Sequence, residues 1–390
     1  MSSSSPALDG IRVLDLSTVG PGARATRILA DYGARVIKIG APPRKSGVQI
    51  EPAHWAYGAG RGWLRARIDL KAPAGKAAFL ALAKRADVVL ESYRPGVVDR
   101  LGIGYGAVRA VNPSIVYCST SGYGQTGPAS KWAGHDLNYL AMGGYLATSG
   151  RRGDGGPALP GATIADGAAG GMHAALAIVA ALLRRARSGE GEYLDVSVAD
   201  GVLSLMSLFI DQHLATGAEP APGHDLLTGR YACYDVYRAR DGKWLSVGAI
   251  EPVFWANLCN ALGCERWIAH QNDDAVQEQV RADLRAAFAT RDRDEWVARL
   301  ASADTCVAPV YEVSELVRDV HFAARGAFGE AKDAQHGAFR QVAAVLAGQS
   351  RDTGAVAVRP AAETDTALLL AETGIAAAEI EAMRAAGVIA

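Results

Sequence analysis

Short apolar, β-branched runs alternating with helical spacing between Ile11 and Ser119 predict an α/β fold with a mainly parallel sheet. A change of texture near residue 220, where a strong hairpin signal appears, predicts a second, smaller α+β domain. Taken in order, Ile11–Leu16 is a strand run, Gly20-Pro21-Gly22 breaks it, Arg24–Tyr32 has helical spacing and Arg35–Ile39 is a second strand run. This is a βαβ unit, whose crossover is right-handed in nearly all proteins. Ala77–Arg85 reads as a helix, Asp87–Leu90 as a strand, Gly96–Leu101 as a short helix and Ile115–Ser119 as a strand. Ala165–Arg187 reads as one long helix whose small residues allow close packing, closed by Ser188-Gly189-Glu190-Gly191 before a strand at Tyr193–Val198. Asp200 is the expected cap of the helix that follows. Pro220, Pro222 and Gly223 mark a linker, and Tyr234–Ala239 and Lys243–Val247 flank Asp241-Gly242, the turn chemistry of a tight hairpin. The second domain is expected from about 225 to 321, through helices at Val276–Thr290 and Asp294–Leu300. The tail, Glu363–Ala390, carries two short helices split by Thr373-Gly374.

Composition narrows the function classes. At roughly 150 residues per domain, 390 residues make two to three domains. Forty basic against 41 acidic residues, a net charge of -1, supply no field that would draw the chain onto nucleic acid or anionic lipid. With 49% hydrophobic and 21% charged residues the chain is globular, neither disordered nor collagen-like. The five cysteines are scattered, with no CxxC pair and no histidine doublet at zinc spacing, so reduced thiols and no metal site are expected. Met1–Pro6 lacks the basic start and apolar run of a secretory signal, which makes the cytoplasm the expected compartment. Gly167–Leu183 is apolar, shorter than the ~20 residues of a span and interrupted by His173 and glycines, so it is expected as a buried helix and no membrane association is expected.

Three places carry chemistry. Gly134-His135-Asp136-Leu137-Asn138-Tyr139 sets a histidine between glycine and aspartate at an expected helix start, beside free backbone N–H groups of the kind that stabilise an oxyanion. Read alone, Asp136 is equally an N-cap and His135 a structural residue. Asp166 heads the long apolar helix and is read alone either as a functional carboxylate or as an N-cap. Glu251 is a carboxylate before a proline at the end of the hairpin, a position that is most often solvated surface. Gly20-x-Gly22-x-x-Ala25 is half of a dinucleotide fingerprint. Gly40 stands where the ribose-binding acid belongs, so a tight strand-to-helix turn is the better reading.

Motifs along nearly the whole chain resemble the family III CoA-transferase (CaiB/BaiF) superfamily. They are Leu8-Asp9-Gly10-Ile11-Arg12-Val13-Leu14-Asp15, Leu29-Ala30-Asp31-Tyr32-Gly33-Ala34, Arg94-Pro95-Gly96, Gly122-Tyr123-Gly124-Gln125-Thr126-Gly127-Pro128, Ser188 to Val196 and Cys306-Val307-Ala308-Pro309-Val310. Two more, Gly134-His135-Asp136-x-Asn138-Tyr139 and Val247-Gly248-Ala249-Ile250-Glu251-Pro252, resemble the α-methylacyl-CoA racemase branch. The resemblance implies a Rossmann-like large domain built from both chain ends (1–217, with a return over 330–390), the small domain between them, and an interlocked-ring homodimer. In such a dimer Glu251 meets His135 across the interface.

The resemblance further implies a racemase or epimerase that interconverts 2R and 2S 2-methylacyl-CoA thioesters, with coenzyme A as part of the substrate and no metal or redox cofactor. Inverting a carbon through a planar enolate needs an acid/base group on each face, and by analogy His135 takes one and Asp166 the other. A dry pocket would raise the Asp166 carboxyl and a helix N-terminus would lower it. The backbone N–H of Asp136 is the implied oxyanion donor, Glu251 and Tyr139 the groups that orient the imidazole, and Tyr234 a further pocket residue. Coenzyme A contacts are implied at Ile68-Asp69-Leu70-Lys71, Ser92-Tyr93-Arg94, Arg100 and Gly134. The alternative is a CoA-transferase holding an aspartyl-CoA thioester at Asp166. Three departures from the family pattern stand out. Gly40-Ala41-Pro42-Pro43-Arg44 lacks an acid followed by Arg-Pro, Trp63 stands in place of a lysine, and Gly167 replaces a bulky residue after the aspartate.

Overall fold

The β-branched runs assemble side by side. Strands β1 (Arg12–Asp15), β2 (Arg35–Gly40), β3 (Leu64–Arg67), β4 (Val88–Glu91), β5 (Val116–Ser121) and β6 (Glu192–Ser197) form one sheet in the order β3-β2-β1-β4-β5-β6. Every pair is parallel, so the faces are covered by helices and the central strands are apolar on both sides. The computed structural model describes residues 5–17, 20–42, 62–333, 337–344, 347, 354–360 and 363–390. Residues 1–144, 160–207 and 323–390 make one compact unit, and 145–159 with 208–322 make a second.

In the first unit, α1 (Pro21–Asp31), α2 (Pro73–Ala83), α3 (Val97–Leu101) and α4 (Tyr105–Val111) follow the strands. Leu14, Ile37, Phe79 and Tyr117 pack on one face of the sheet, and Val13, Leu29, Val36 and Ile178 on the other. Leu370 and Ile380, on the tail helices Thr366–Glu372 and Ala377–Ala385, join the first cluster, which is why the C-terminal segment belongs here. The turn into α1 is tight: a Cβ on Gly22 would lie 2.7 Å from Ser17 Cβ. β3, with the sequence LRAR, has no apolar run to announce it. It pairs along the sheet edge with Gly40 opposite Arg67.

The long helix departs from expectation in two ways. It opens with a π-helical stretch, Ala165–Met172, before continuing as α6 (His173–Ser188). Its span, Ala165–Ser188, agrees with the expected Ala165–Arg187, but where the apolar stretch Gly167–Leu183 reads as buried and shorter than a span, the 24-residue helix is apolar enough by length and composition to cross a membrane and is buried on one side only. Ala174, Ile178 and Leu182 face the core, whereas Met172 (62%), Leu176 (68%) and Leu183 (57%) are exposed. β6 runs into α7 (Val198–Leu205), and the cap is Ser197, not Asp200: Ser197 Oγ accepts from the Asp200 N–H at 3.1 Å.

In the second unit, β7 (Tyr234–Arg238) and β8 (Trp244–Gly248) form the expected antiparallel hairpin, extended by β9 (Val307–Pro309). Helices Pro252–Leu262, Gln277–Phe288 and Arg293–Leu300 close a core of Trp255, Leu258, Phe288 and Trp296. All five cysteines are free, and among the described residues no His/Cys/Asp/Glu cluster could hold a metal ion.

Between β1 and β4 the winding of the sheet reverses, the point where doubly wound folds open a crevice at the strands' carboxyl ends. Glu91 stands there with only 1% of its surface exposed, and its Oε2 accepts from the Tyr93 N–H at 2.6 Å. Burial pushes its carboxyl up to about 7 from an ordinary 4.5. The folded chain therefore keeps a proton that the unfolded chain loses, and stability falls as pH rises from 4.5 to about 7. Glu91→Gln removes that penalty. The variant is expected to be more stable than the native chain by about 2–3 kcal/mol at pH 8 and by less than about 1 kcal/mol at pH 5, as read from thermal melts at the two pH values.

Candidate active site

His135 is the N-cap of α5 (Asp136–Met142), in an extended conformation that presents the imidazole to solvent. Its N–H donates to Asn138 Oδ1 at 3.0 Å and its carbonyl accepts from the Asn138 N–H at 2.8 Å. Asp136 is thus the first helical residue, not the cap, and its own N–H belongs to the first turn, which makes no intrahelical bond. Tyr139 is buried one turn on. Its hydroxyl donates to the Gly134 carbonyl at 2.6 Å, so it fixes the backbone that carries His135. Burial pushes the Tyr139 phenol up to about 12. Glycine at 134 leaves room for that ring, since a Cβ there would lie 2.8 Å from Tyr139 Cε1.

Asp166 is the second residue of the π-helical stretch, and its backbone N–H donates to Asp136 Oδ1 at 2.8 Å. The carboxylate that caps this helix is therefore Asp136, from 30 residues upstream, and Asp166 keeps its own side chain uncommitted to capping. That side chain lies beside the start of α1, with Oδ2 3.5 Å from where a Cβ on Gly20 would be. Burial first, and the Asp136 carboxylate second, raise the Asp166 carboxyl above its ordinary range, against the opposing pull of Arg24 and His135. Burial outweighs these two attractions. Glycines bring the backbones together: a Cβ on Gly170 would lie 2.5 Å from Pro21 Cβ, and one on Gly171 would lie 2.6 Å from Arg24 Cβ. At Gly167 a Cβ would meet nothing within 4 Å.

Asp136→Asn keeps an oxygen for the Asp166 N–H and removes the neighbouring charge. The Asp166 carboxyl should then fall towards its ordinary value, and if Asp166 is a proton acceptor the acid limb of the kcat/KM profile should move to lower pH. A pH-rate series on the variant checks this.

The other expected residues spread over both units. Ile68 is buried in the core and bridges Ile389, so its side chain is not available to a ligand. Asp69, Leu70 and Lys71 form the turn into α2, where Asp69 Oδ1 accepts from the Lys71 N–H at 3.1 Å. Ser92, Tyr93 and Arg94 follow β4, with Tyr93 half-buried and Arg94 exposed, and the exposed Arg100 lies on α3. All of these lie beyond the carboxyl ends of β3 and β4. Glu251 and Tyr234 belong to the second unit, Glu251 as the exposed N-cap of Pro252–Leu262 and Tyr234 at the start of β7. Trp63 is buried with Lys38 Nζ 5.4 Å from its ring centre, and Lys38 pairs with the buried Asp15 at 3.1 Å. Pro43 and Arg44 lie outside the described residues. The bond between Asp136 and Asp166 carries no local signal, because it joins distant parts of the chain.

The chain is 36% identical over 324 residues to the human (Homo sapiens) alpha-methylacyl-CoA racemase, covering 83% of this chain and 82% of that protein. It is 32% identical over 333 residues to the acetyl-CoA:oxalate CoA-transferase of Acetobacter aceti, covering 81% and 84%. The crystal structure of a CAIB/BAIF family protein from Brucella suis superposes with a TM-score of 0.77 at 26% identity, covering 95% of this chain and all of that one. The sequence profile of CoA-transferase family III matches residues 8–366, and the chain belongs to that family.

Proposed function

We propose that the protein is a 2-methylacyl-CoA racemase or epimerase that moves the α-proton through an enolate. The observation that carries this reading is the joining of His135 and Asp166 through Asp136, which follows the histidine directly and binds the N–H of the aspartate at 2.8 Å. A thioester held between them would present one face of its α-carbon to the imidazole and the other to the carboxyl. The Asp136 N–H is the donor for the enolate oxygen, in place before charge develops. A carboxyl raised by burial is the better proton acceptor, since acid/base catalysis works best with groups closer to the working pH. The similarity to racemases supports the reading.

Similarity to CoA-transferases supports a second reading, in which Asp166 attacks the thioester carbonyl. Hydroxylamine added with a 2-methylacyl-CoA separates the two. The racemase reading expects α-proton exchange in deuterated water and no adduct, whereas a hydroxamate at Asp166 would establish the transferase.

A further inference from the structure

We propose that Arg67 is the residue of this chain that receives the 3′-phosphate of coenzyme A. The inference rests on the reading of the substrate as a CoA thioester. β2 ends at Gly40, which pairs across the sheet edge with Arg67. Because Gly40 has no side chain, the Arg67 guanidinium lies across the end of β2. A Cβ on Gly40 would sit 2.7 Å from Nη1 and 3.5 Å from Cζ. The fork thus fills a cradle that any larger residue at position 40 would close.

The neighbouring cations are engaged and this one is not. Arg65, two residues back and on the same side of the strand, donates to the carbonyls of Arg359 and Pro360. Arg359 pairs with Asp365 and Glu363, and Lys38 pairs with Asp15. Among the described residues, Arg67 forms no ion pair, and its side chain makes only one weak contact, 3.5 Å from Nη1 to the Ala41 carbonyl. Burial first, and then the charges of Arg359 and Arg67, lower the Arg65 guanidinium from its ordinary value, against the pull of Asp365 and Glu363, whereas the half-buried Arg67 has no carboxylate partner among the described residues.

The place gives the fork its ligand. In doubly wound sheets the adenosine ribose lies at the end of the second strand, where an acid binds ribose hydroxyls and an arginine binds a ribose phosphate. Here glycine removes the acid and the adjacent strand supplies the arginine. A planar fork matches a phosphate monoester with two parallel hydrogen bonds, and coenzyme A carries such a group on its ribose.

Calorimetric titration of the full chain with coenzyme A and with 3′-dephospho-CoA tests this without depending on turnover. The native protein should bind coenzyme A about ten- to a hundredfold more tightly than the dephospho form. Arg67→Gln should bring the two within about threefold by weakening coenzyme A alone, and Arg67→Lys should recover part of the difference. Gly40→Asp, which keeps the arginine at position 67 but crowds its guanidinium out of the cradle and sets a carboxylate against it, should give the same loss. Native-like discrimination in Arg67→Gln would overturn the assignment, as would equal weakening of both ligands. If neither ligand binds the native chain, the CoA reading fails and this inference with it. If both bind and the variants discriminate normally, only the inference fails.

Discussion

Replacing His135 with alanine is expected to lower racemisation of a 2-methylacyl-CoA by at least about 10²- to 10⁴-fold, the usual worth of a positioned acid/base group. The loss should be asymmetric. Inversion needs a proton taken from one face and returned to the other, so a single remaining group can still exchange the proton on its own side. His135→Ala should therefore keep slow exchange from the enantiomer presented to Asp166, and Asp166→Ala should keep it from the other. Deuterium incorporation into each separate enantiomer, read beside chiral analysis of the product, checks both halves. A transferase behaves differently: Asp166→Ala eliminates its covalent chemistry and His135→Ala costs little. A His135→Ala protein that racemises at a near-native rate would end the two-base assignment.

Gly201→Ala is expected to destabilise the fold strongly. A Cβ at this position in α7 would lie 2.7 Å from the Ala169 carbonyl carbon and closer still to its oxygen. The obstacle is backbone, in the π-helical stretch that carries Asp166, so no side-chain rotation relieves it. Overpacking of this kind costs about 3 kcal/mol, which lowers Tm by roughly 4–6 °C. Because Ala169 is three residues from Asp166, the displacement should reach the site and depress activity in the protein that still folds. Gly167→Ala is the control. Its Cβ meets nothing within 4 Å, so it should leave Tm unchanged or raise it slightly through helix propensity. Parallel melts of the two variants decide whether close backbone contact holds the π stretch in place.

The parts of this fold that were legible were those with a local cause. The apolar centres of DVVL and IVYCS read as buried strands of a parallel sheet, and Asp241-Gly242 marks its hairpin directly. β3 escaped because its LRAR pattern is that of an edge strand with one charged side. The π-helical turn escaped because Ala-Asp-Gly-Ala-Ala-Gly-Gly has the small-residue texture of an ordinary packed helix. What distinguishes it is the Asp136 carboxylate on the Asp166 N–H and the glycines facing α1 and α7, all long-range contacts. For the same reason Asp136 read alone as a cap of its own helix, when it caps another. Ser197 in place of Asp200 is a shift of three residues within a capping pattern that either could satisfy. The role of Arg67 depends on the register of β2 against β3, which nothing within either strand encodes.

The central claim is that this site inverts an α-carbon by proton transfer. The most direct test starts from a single enantiomer of a 2-methylacyl-CoA in deuterated water and follows configuration and isotope together. The account predicts that the opposite enantiomer accumulates carrying one deuterium at the α-carbon, with the thioester intact and no carboxylate acceptor required. Retained configuration without exchange, together with acyl-CoA turnover that appears only when a second carboxylate is added, would contradict it.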